Sequence, residues 1–222
     1  MYILAFDTTG AGCNIVLMDN QKVLDSFEHL AEFGQAEILM PQLKTMLEKN
    51  KLSFAEIGAL FVCVGPGSFT GVRSGIAAAR IFSFTNPKLI VGGVSAFEAY
   101  RQSFEPEDIA EINAIIVETR RDDFYVQLFD KSLQKITEPE ALSYEHLLEK
   151  LKKKGKLVSL SGDGVERFLS KPSGLTLHAV KLFETVSAKA VAMIGLKMLE
   201  DKKINFPKPL YLRAPDVTLP TK

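Results

Sequence analysis

An uninterrupted apolar strand that passes through a glycine-rich turn straight into a helix constrains the fold of this 222-residue chain most. Residues 59–64 (ALFVCV) have the length of a strand and no charged position, which is typical of a strand covered on both faces. The segment Gly65-Pro66-Gly67 ends the strand, and Ser68 or Thr70 can cap the following helix through a hydroxyl. The free N–H groups at such a helix start can hold an anion or meet a partner. The pattern predicts an α/β fold with a site at this turn.

The turn lacks the residues of a Walker phosphate loop. In that loop Lys and then Ser or Thr follow the last glycine directly, to neutralise phosphate and hold magnesium. Here Gly71 is followed by Val72, Arg73 and Ser74. We therefore do not expect this loop to bind a nucleotide by itself.

Small residues recur every four positions along the helix that follows the turn. Gly71, Gly75 and Ala79 lie on one helix face and leave it without bulk. Either a helix of another subunit approaches this face, or the face packs against the chain's own sheet. The spacing leaves both alternatives open.

Composition excludes some functional classes. The chain is 46% hydrophobic and 24% charged, as is usual for a soluble globular protein. Its 27 Lys and Arg residues balance 27 Asp and Glu residues, so no broad basic field is available to grip a nucleic acid alone. No apolar run reaches the roughly 18–20 residues of a membrane span. Cys13 and Cys63 lie in apolar stretches and no leader precedes the first strand, so we expect a reduced, cytoplasmic protein.

The order of predicted elements in the first half is that of an RNase H-like lobe, the unit duplicated in the actin, Hsp70 and sugar-kinase architecture. Hydrophobic periodicity predicts strands at 2–6, 12–18, 23–27, 59–64 and 89–91, helices at 35–49 and 70–82, and a helix capped by Ser95.

The second half begins the same pattern and predicts a smaller lobe. Strands are expected at 113–120, 124–129 and 157–160, and helices at 144–153 and 188–201. We therefore divide the chain into an N-terminal lobe, residues 1–103, and a C-terminal lobe, residues 104–222. Sequence identity between the halves is too low to prove a duplication.

Residues that could carry catalysis are scattered. His29, His146 and His178 are far apart and match no metal-ligand spacing. No Gly-x-Ser-x-Gly motif is present and Ser68 has no evident base, which argues against a serine hydrolase.

Three polar positions remain as candidates. Asp7, with Thr8 and Thr9 behind it, can position magnesium or phosphate, and the same residues can equally satisfy a turn. Glu118 is the corresponding candidate in the second half, and Asp163 lies between two glycines that already explain the turn.

A local basic run, Lys152, Lys153, Lys154 and Lys156, ends the helix at 144–153. It is either a solvated helix end favoured by the helix dipole or an RNA contact.

The turn GPGSFTGVR (65–73), the opening ILAFDTT (3–9) and the tail PLYLR (209–213) together resemble the TsaB (YeaZ) family. The resemblance implies a bacterial, actin-like subunit that pairs with the catalytic subunit TsaD and works with the ATPase TsaE. The complex adds a threonylcarbamoyl group to the adenosine on the 3′ side of the anticodon, in transfer RNAs that read codons beginning with A. ATP and metal are implied for the complex and its catalytic subunit, and no cofactor is assigned to this chain.

The resemblance also implies that the chain is not the catalyst. The metal-bearing relative carries His-x-x-x-His on its first long helix, whereas the matching segment here, GQAEILMP (34–41), has no histidine. Two positions depart from the usual family pattern: Gly34-Gln35, where His-Ser is common, and Glu118-Thr119-Arg120, where Asp-Ala-Arg is common.

Two functions from different classes compete. One is a non-catalytic interaction subunit, and the other is an independent nucleotide-dependent enzyme of the sugar-kinase architecture or a glycoprotease-like hydrolase. The second needs a larger second lobe with nucleotide-binding glycine loops, or a nucleophile with its base. Only the segment 161–164 (SGDG) resembles such a loop, so we favour the first.

The predicted sites form two groups. We expect the partner interface, which also supports a homodimer of the isolated chain, to comprise Leu39, Met40, Leu43, Met46, Leu47, Gly71, Arg73, Gly75, Ile76, Ala79 and Phe82. We interpret Asp7, Thr8, Thr9, Gly65, Gly67, Ser68 and Thr70 as vestigial phosphate-type loops. Transfer RNA is expected to bind the isolated chain weakly, through salt-sensitive contacts of the basic run.

Overall fold

The computed structural model describes residues 1–30, 34–155 and 157–213, with the side chains of residues 35 and 36 also outside the description. The first half contains the strands Tyr2–Asp7 (β1), Gly12–Asp19 (β2), Lys22–Leu30 (β3), Ile57–Cys63 (β4) and Ile90–Val94 (β5), and the helices Gln35–Lys49 (α1), Phe69–Thr85 (α2) and Ala96–Arg101 (α3). The second half contains the strands Ile112–Glu118 (β6), Asp123–Phe129 (β7), Glu140–Ser143 (β8), Leu157–Gly162 (β9) and Thr176–Leu182 (β10), and the helices Tyr144–Lys154 (α4), Val165–Leu169 (α5) and Ala188–Glu200 (α6). The predicted basic run is thus described at Lys152, Lys153 and Lys154, and Lys156 lies outside the described residues.

Two five-stranded sheets with the same topology make up the fold. Their strand orders are β3-β2-β1-β4-β5 and β10-β9-β6-β7-β8. Written from its other edge, the second order is β8-β7-β6-β9-β10, so the five strands of each half are arranged in the same order. In each, the first strand pairs antiparallel with the second and parallel with the fourth. This repeat confirms the predicted α/β fold of two RNase H-like lobes.

Helices α1 and α2 cover one face of the first sheet. Their apolar side chains join those of β1 and β4 in one core cluster, whose helical members include Leu39, Leu43, Met46, Leu47, Val72, Ile76 and Ala79. Among the described residues of the second lobe, the helices that supply buried side chains to the corresponding layer are α4 and the short α5.

Helices α3 and α6 lie between the two sheets and join them. Helix α6, from the end of the chain, contacts β1, β2, β4 and β5, whereas α3 contacts β6 and β9 of the second sheet. Phe61, Phe97, Ile115 and Val191 belong to one buried cluster. The boundary after residue 103 stays a prediction, and the helix α6 crosses it to pack on the first sheet.

The segment after α6 runs back across the first lobe. The Gly93 amide donates to the carbonyl of Asn205 at 2.8 Å, and the Leu210 amide donates to that of Val64 at 2.9 Å. Further on, Arg213 forms an ion pair with Asp123 of β7. This segment therefore ties the turn after β4 to the second lobe.

Within the described ranges, no helix is long and apolar enough to cross a membrane.

Candidate functional site

The turn after β4 and the turn after β1 are hydrogen-bonded to each other. The Ser68 amide donates to the Thr9 carbonyl at 2.7 Å, and the Thr8 hydroxyl donates to the Gly71 carbonyl at 2.7 Å. Ser68 caps α2 by accepting from the Gly71 amide at 3.3 Å. A Cβ at Gly67 would lie 2.4 Å from the Thr9 carbonyl oxygen. The Ser68 and Gly71 amides at this helix start are therefore used within the chain.

Asp7 closes the first turn from inside the protein. Its Oδ1 accepts from the Thr9 amide at 3.0 Å and from the Thr9 hydroxyl at 2.6 Å. The side chain is fully buried, and Oδ2 has no hydrogen-bond partner among the described residues. Burial raises the pKa of Asp7, against the lowering effect of the Thr9 hydrogen bonds. Its observed contacts are those of a turn residue.

The acidic residues of the second lobe have partners of their own. Glu118 receives two guanidinium hydrogen bonds from Arg167, at 2.6 and 2.7 Å, which is a strong bidentate arrangement. Its backbone amide donates to Oδ1 of Asp163 at 2.9 Å. Burial raises the pKa of Asp163 to about 7, and the nearby charges of Glu118 and Asp7 add to this rise.

A cavity of about 730 Å³ separates the turns of the two lobes. We call it the interlobe cleft. Four acidic residues line it, Glu118, Asp163, Glu166 and Glu184, together with two arginines, Arg120 and Arg121. This balance of charge disfavours a phosphate group that arrives without a cation. In the described part of the chain, no three His, Cys, Asp or Glu side chains are grouped so that they can hold a metal ion.

The structure corrects the prediction that the small-residue track faces a partner. Gly71, Gly75 and Ala79 are all buried, and a Cβ at Gly75 would lie 2.7 Å from the Thr8 hydroxyl and 3.3 Å from Val62. The track packs against the chain's own sheet because α2 lies over β4 and β5.

Most of the other predicted interface residues also belong to the protein core. Leu39, Leu43, Met46, Leu47 and Ile76 are buried. Phe82 is half-buried and stacks on the ring of Phe54 at 4.2 Å between centroids. Their place at a partner surface is corrected, because the sheet already covers these side chains.

The outer surface of α1 and α2 carries a different apolar set. From the predicted interface only Met40, 47% exposed, and Arg73 are open to solvent. Ile81 is 59% exposed and Phe84 is 83% exposed. The prediction missed these last two, although their positions opposite the buried stripe of α2 could have identified them. We call Met40, Ile81 and Phe84 the outer apolar face.

A second cavity, of about 790 Å³, lies between α2, the segment after α6 and β7. We call it the arginine groove. Four arginines and three aromatic residues are among its lining residues: Arg73, Arg80, Arg121, Arg213, Phe69, Tyr125 and Tyr211. No Asp or Glu of the described chain lines it. Apart from Arg73, the prediction missed this set, because only the fold brings α2 and the end of the chain together.

Comparison with known proteins gives a consistent family assignment. A family model described as "TsaD: tRNA N6-adenosine threonylcarbamoyltransferase" matches residues 29–217. The tRNA threonylcarbamoyladenosine biosynthesis protein TsaB of Escherichia coli (strain K12) is 28% identical over 223 residues, covering 96% of this chain and 95% of that protein.

Solved structures agree on the fold. YeaZ from Pseudomonas aeruginosa matches with a TM-score of 0.77 at 20% identity, over 95% of this chain and 99% of that one. The activator of the 2-hydroxyisocaproyl-CoA dehydratase from Clostridium difficile, solved with bound ADPNP, matches with a TM-score of 0.54 at 10% identity, over 91% of this chain and 97% of that one. At these identities the likeness concerns the fold alone.

Proposed function

The chain belongs to the TsaB (YeaZ) family, and we propose that it is a non-catalytic partner subunit in the synthesis of threonylcarbamoyladenosine on transfer RNA. The assignment is supported by the family model described as TsaD, which matches residues 29–217, and by the relatives named TsaB, and the YeaZ structure supports the fold. Its role therefore lies in the biosynthesis of this modified nucleoside. The finer statements below, on partners and on the absence of catalysis, are proposals.

The observation that carries the non-catalytic role is the use of the cleft residues in internal contacts. The Ser68 amide, which could meet a phosphate, donates to Thr9. The carboxylate of Glu118 is committed to Arg167, and Asp7 is fully buried. One solved structure of this fold contains bound ADPNP, whereas in this chain these polar groups make contacts within the protein.

We propose that the main partner is the catalytic subunit TsaD, bound through the outer apolar face. Exposed apolar side chains on adjacent helices are a usual sign of a protein interface. Because the two subunits share their architecture, the same face also supports a homodimer when TsaD is absent. The ATPase TsaE completes the complex, which modifies the adenosine on the 3′ side of the anticodon in the cytoplasm.

An independent kinase or protease is the alternative. A hydrolase would need an activated nucleophile, and the Ser68 hydroxyl oxygen instead accepts from the Gly71 amide as a helix cap.

Reconstitution tests the role directly. The purified chain is mixed with TsaD, TsaE, ATP, the threonylcarbamoyl donor and transfer RNA, and each component is omitted in turn. We expect modification to require this chain together with TsaD. Modification by this chain without TsaD, or stoichiometric zinc or iron in protein purified without an affinity tag, would contradict a non-catalytic role.

Substitution tests the proposed face. Phe84→Asp places a charge where an apolar contact is proposed, and we expect TsaD binding to weaken by at least about tenfold with the fold unchanged. Leu182→Asp, at an exposed apolar residue of the second lobe, is the matched control and should bind normally. If both variants bind TsaD equally well, the outer apolar face is not the interface.

A further inference from the structure

We propose that the arginine groove binds a single-stranded segment of RNA, so that this subunit itself contributes to holding the transfer RNA. This inference deepens the proposed function and rests on it for the identity of the RNA. It starts from the residues that line the groove.

Positive charge in the groove is not neutralised at two of its positions. Arg73 and Arg80 form no ion pair with a carboxylate of the described chain. They are seven residues apart on α2, so they lie about 10 Å apart along one flank of the helix. Two guanidinium groups at this spacing can contact phosphates of one strand. The balanced net charge of the whole chain conceals this local excess.

Aromatic rings lie beside these charges. Phe69 and Tyr211 stack with centroids 5.5 Å apart and an angle of 28° between ring planes. The two side chains are 48% and 47% exposed, and the guanidinium of Arg73 lies 4.9 Å from the Phe69 ring centroid. Tyr125 also lines the groove. Exposed rings of this kind are the platforms on which unpaired bases stack.

The combination selects RNA over an acidic protein segment. Arginines alone would suit either ligand, but an acidic peptide without aromatic residues has no aromatic ring to stack on Phe69 and Tyr211, whereas every base of an RNA strand has one. Duplex RNA is also a poorer fit, because its bases are already stacked on one another. A single strand offers both phosphates and free base faces.

The groove and the outer apolar face are neighbours on the exposed surface of α2. The groove uses the flank of α2 that carries Val72, Arg73, Ile76 and Arg80. At 100° per residue, Ile81 projects about 80° away from Arg73, whereas Phe84 projects only about 20° away from it. Ile81 therefore points away from the groove arginines, and a partner seated on Phe84 borders the groove.

Direct binding to the full-length chain gives the first test. Fluorescence anisotropy compares a labelled single-stranded RNA hexanucleotide, the same RNA as a duplex, and a hexaglutamate peptide. We expect the single strand to bind several-fold tighter than the other two, with a dissociation constant that rises with salt. Tyr211→Ala should remove this preference, whereas Tyr211→Phe, which keeps the ring, should retain it. If the duplex or the peptide binds as tightly as the single strand, the proposal is overturned.

Transfer RNA binding by the complex with TsaD gives the second test. Arg73→Ala should lower the affinity for transfer RNA about tenfold. The number of counterions released on binding, measured from the slope of log affinity against log salt concentration, should fall by about one. Lys88→Ala removes the same charge from an exposed position outside the groove and serves as the control. Unchanged affinity in Arg73→Ala, with TsaD binding intact, overturns the groove proposal and leaves the proposed function standing. Failure to bind TsaD at all counts against the proposed function, and the oligonucleotide test still decides the groove.

Discussion

Burial of the Asp163 carboxyl makes the stability of the protein depend on pH. Burial raises its pKa from 3.8 to about 7 in the folded state. Between about pH 4 and pH 7 the folded protein therefore keeps a proton that the unfolded chain has released, and stability falls as pH rises through this window. We expect Asp163→Asn, which carries no charge, to increase the free energy of unfolding at pH 8 more than at pH 5. Urea denaturation followed by circular dichroism at the two pH values measures the difference.

Asp7, whose pKa burial also raises, acts in the same direction, so the variant should flatten the pH dependence without abolishing it. Asp122→Asn, at an exposed position beside β7, is the control for the loss of one surface carboxyl group. An equal gain at pH 5 and pH 8 in Asp163→Asn would mean that this carboxyl does not titrate in the window.

At the scale of single residues, the sequence indicates which side chains are unusual but not what they contact. The turn around Asp163 is recognisable from its two glycines. Its hydrogen bond from the Glu118 amide, by contrast, joins positions 45 residues apart. The pairing of Glu118 with Arg167 spans 49 residues. Such contacts depend on the sheet order, which local sequence does not determine.

At the scale of elements, the close packing of α2 on the first sheet leads us to predict that Gly75→Ala destabilises the protein. The Cβ of Gly75→Ala would lie 2.7 Å from the Thr8 hydroxyl, which itself donates to the Gly71 carbonyl. Overpacking of about 1–3 kcal/mol is offset in part by the roughly 1 kcal/mol higher helix propensity of Ala. We expect a net loss of up to about 2 kcal/mol in the free energy of unfolding, measured by urea denaturation.

Ala77→Leu adds more bulk to the same helix at an exposed position and is the control, with stability expected to stay within about 0.5 kcal/mol. If Gly75→Ala is as stable as the native chain yet loses TsaD binding, the glycine acts at the interface after all.

Long amphipathic elements were predictable from the sequence, whereas short and half-exposed ones were not. Helix α1 has the predicted bounds, Gln35–Lys49, because its apolar residues repeat with helical spacing. The short strand β8 and helix α5, and the exposed-edge strand β10, were not predicted. Strand β8 and helix α5 contain four and five residues, too few for periodicity alone to separate strand from helix, and the edge strand β10 has no fully buried position. The small-residue track shows a related limit. Its spacing predicts a helix face without bulky side chains, but it does not predict which surface packs against that face.

At the scale of the whole molecule, the two lobes exchange helices. The last helix, α6, packs on the first sheet, and α3, from the first half, packs on the second sheet. The sequence predicted two lobes because their strand patterns repeat, but it could not predict this exchange, which joins residues on opposite sides of the proposed boundary. A protein built in this way is expected to unfold as one cooperative unit.

The third prediction tests that cooperativity through the contact of α6 with β4. A Cβ at Gly195 would lie 2.2 Å from the ring of Phe61, which is fully buried. Gly195→Ala should therefore force α6 away from the sheet and lower the free energy of unfolding by at least about 2 kcal/mol. Because both lobes share this core, amide hydrogen exchange should show an equal loss of protection in β1 and in β6. Lys197→Ala, on the exposed side of α6, is the control and should leave both strands protected. Loss of protection confined to the first sheet would mean that the lobes are independent folding units and that residue 103 marks a true domain boundary.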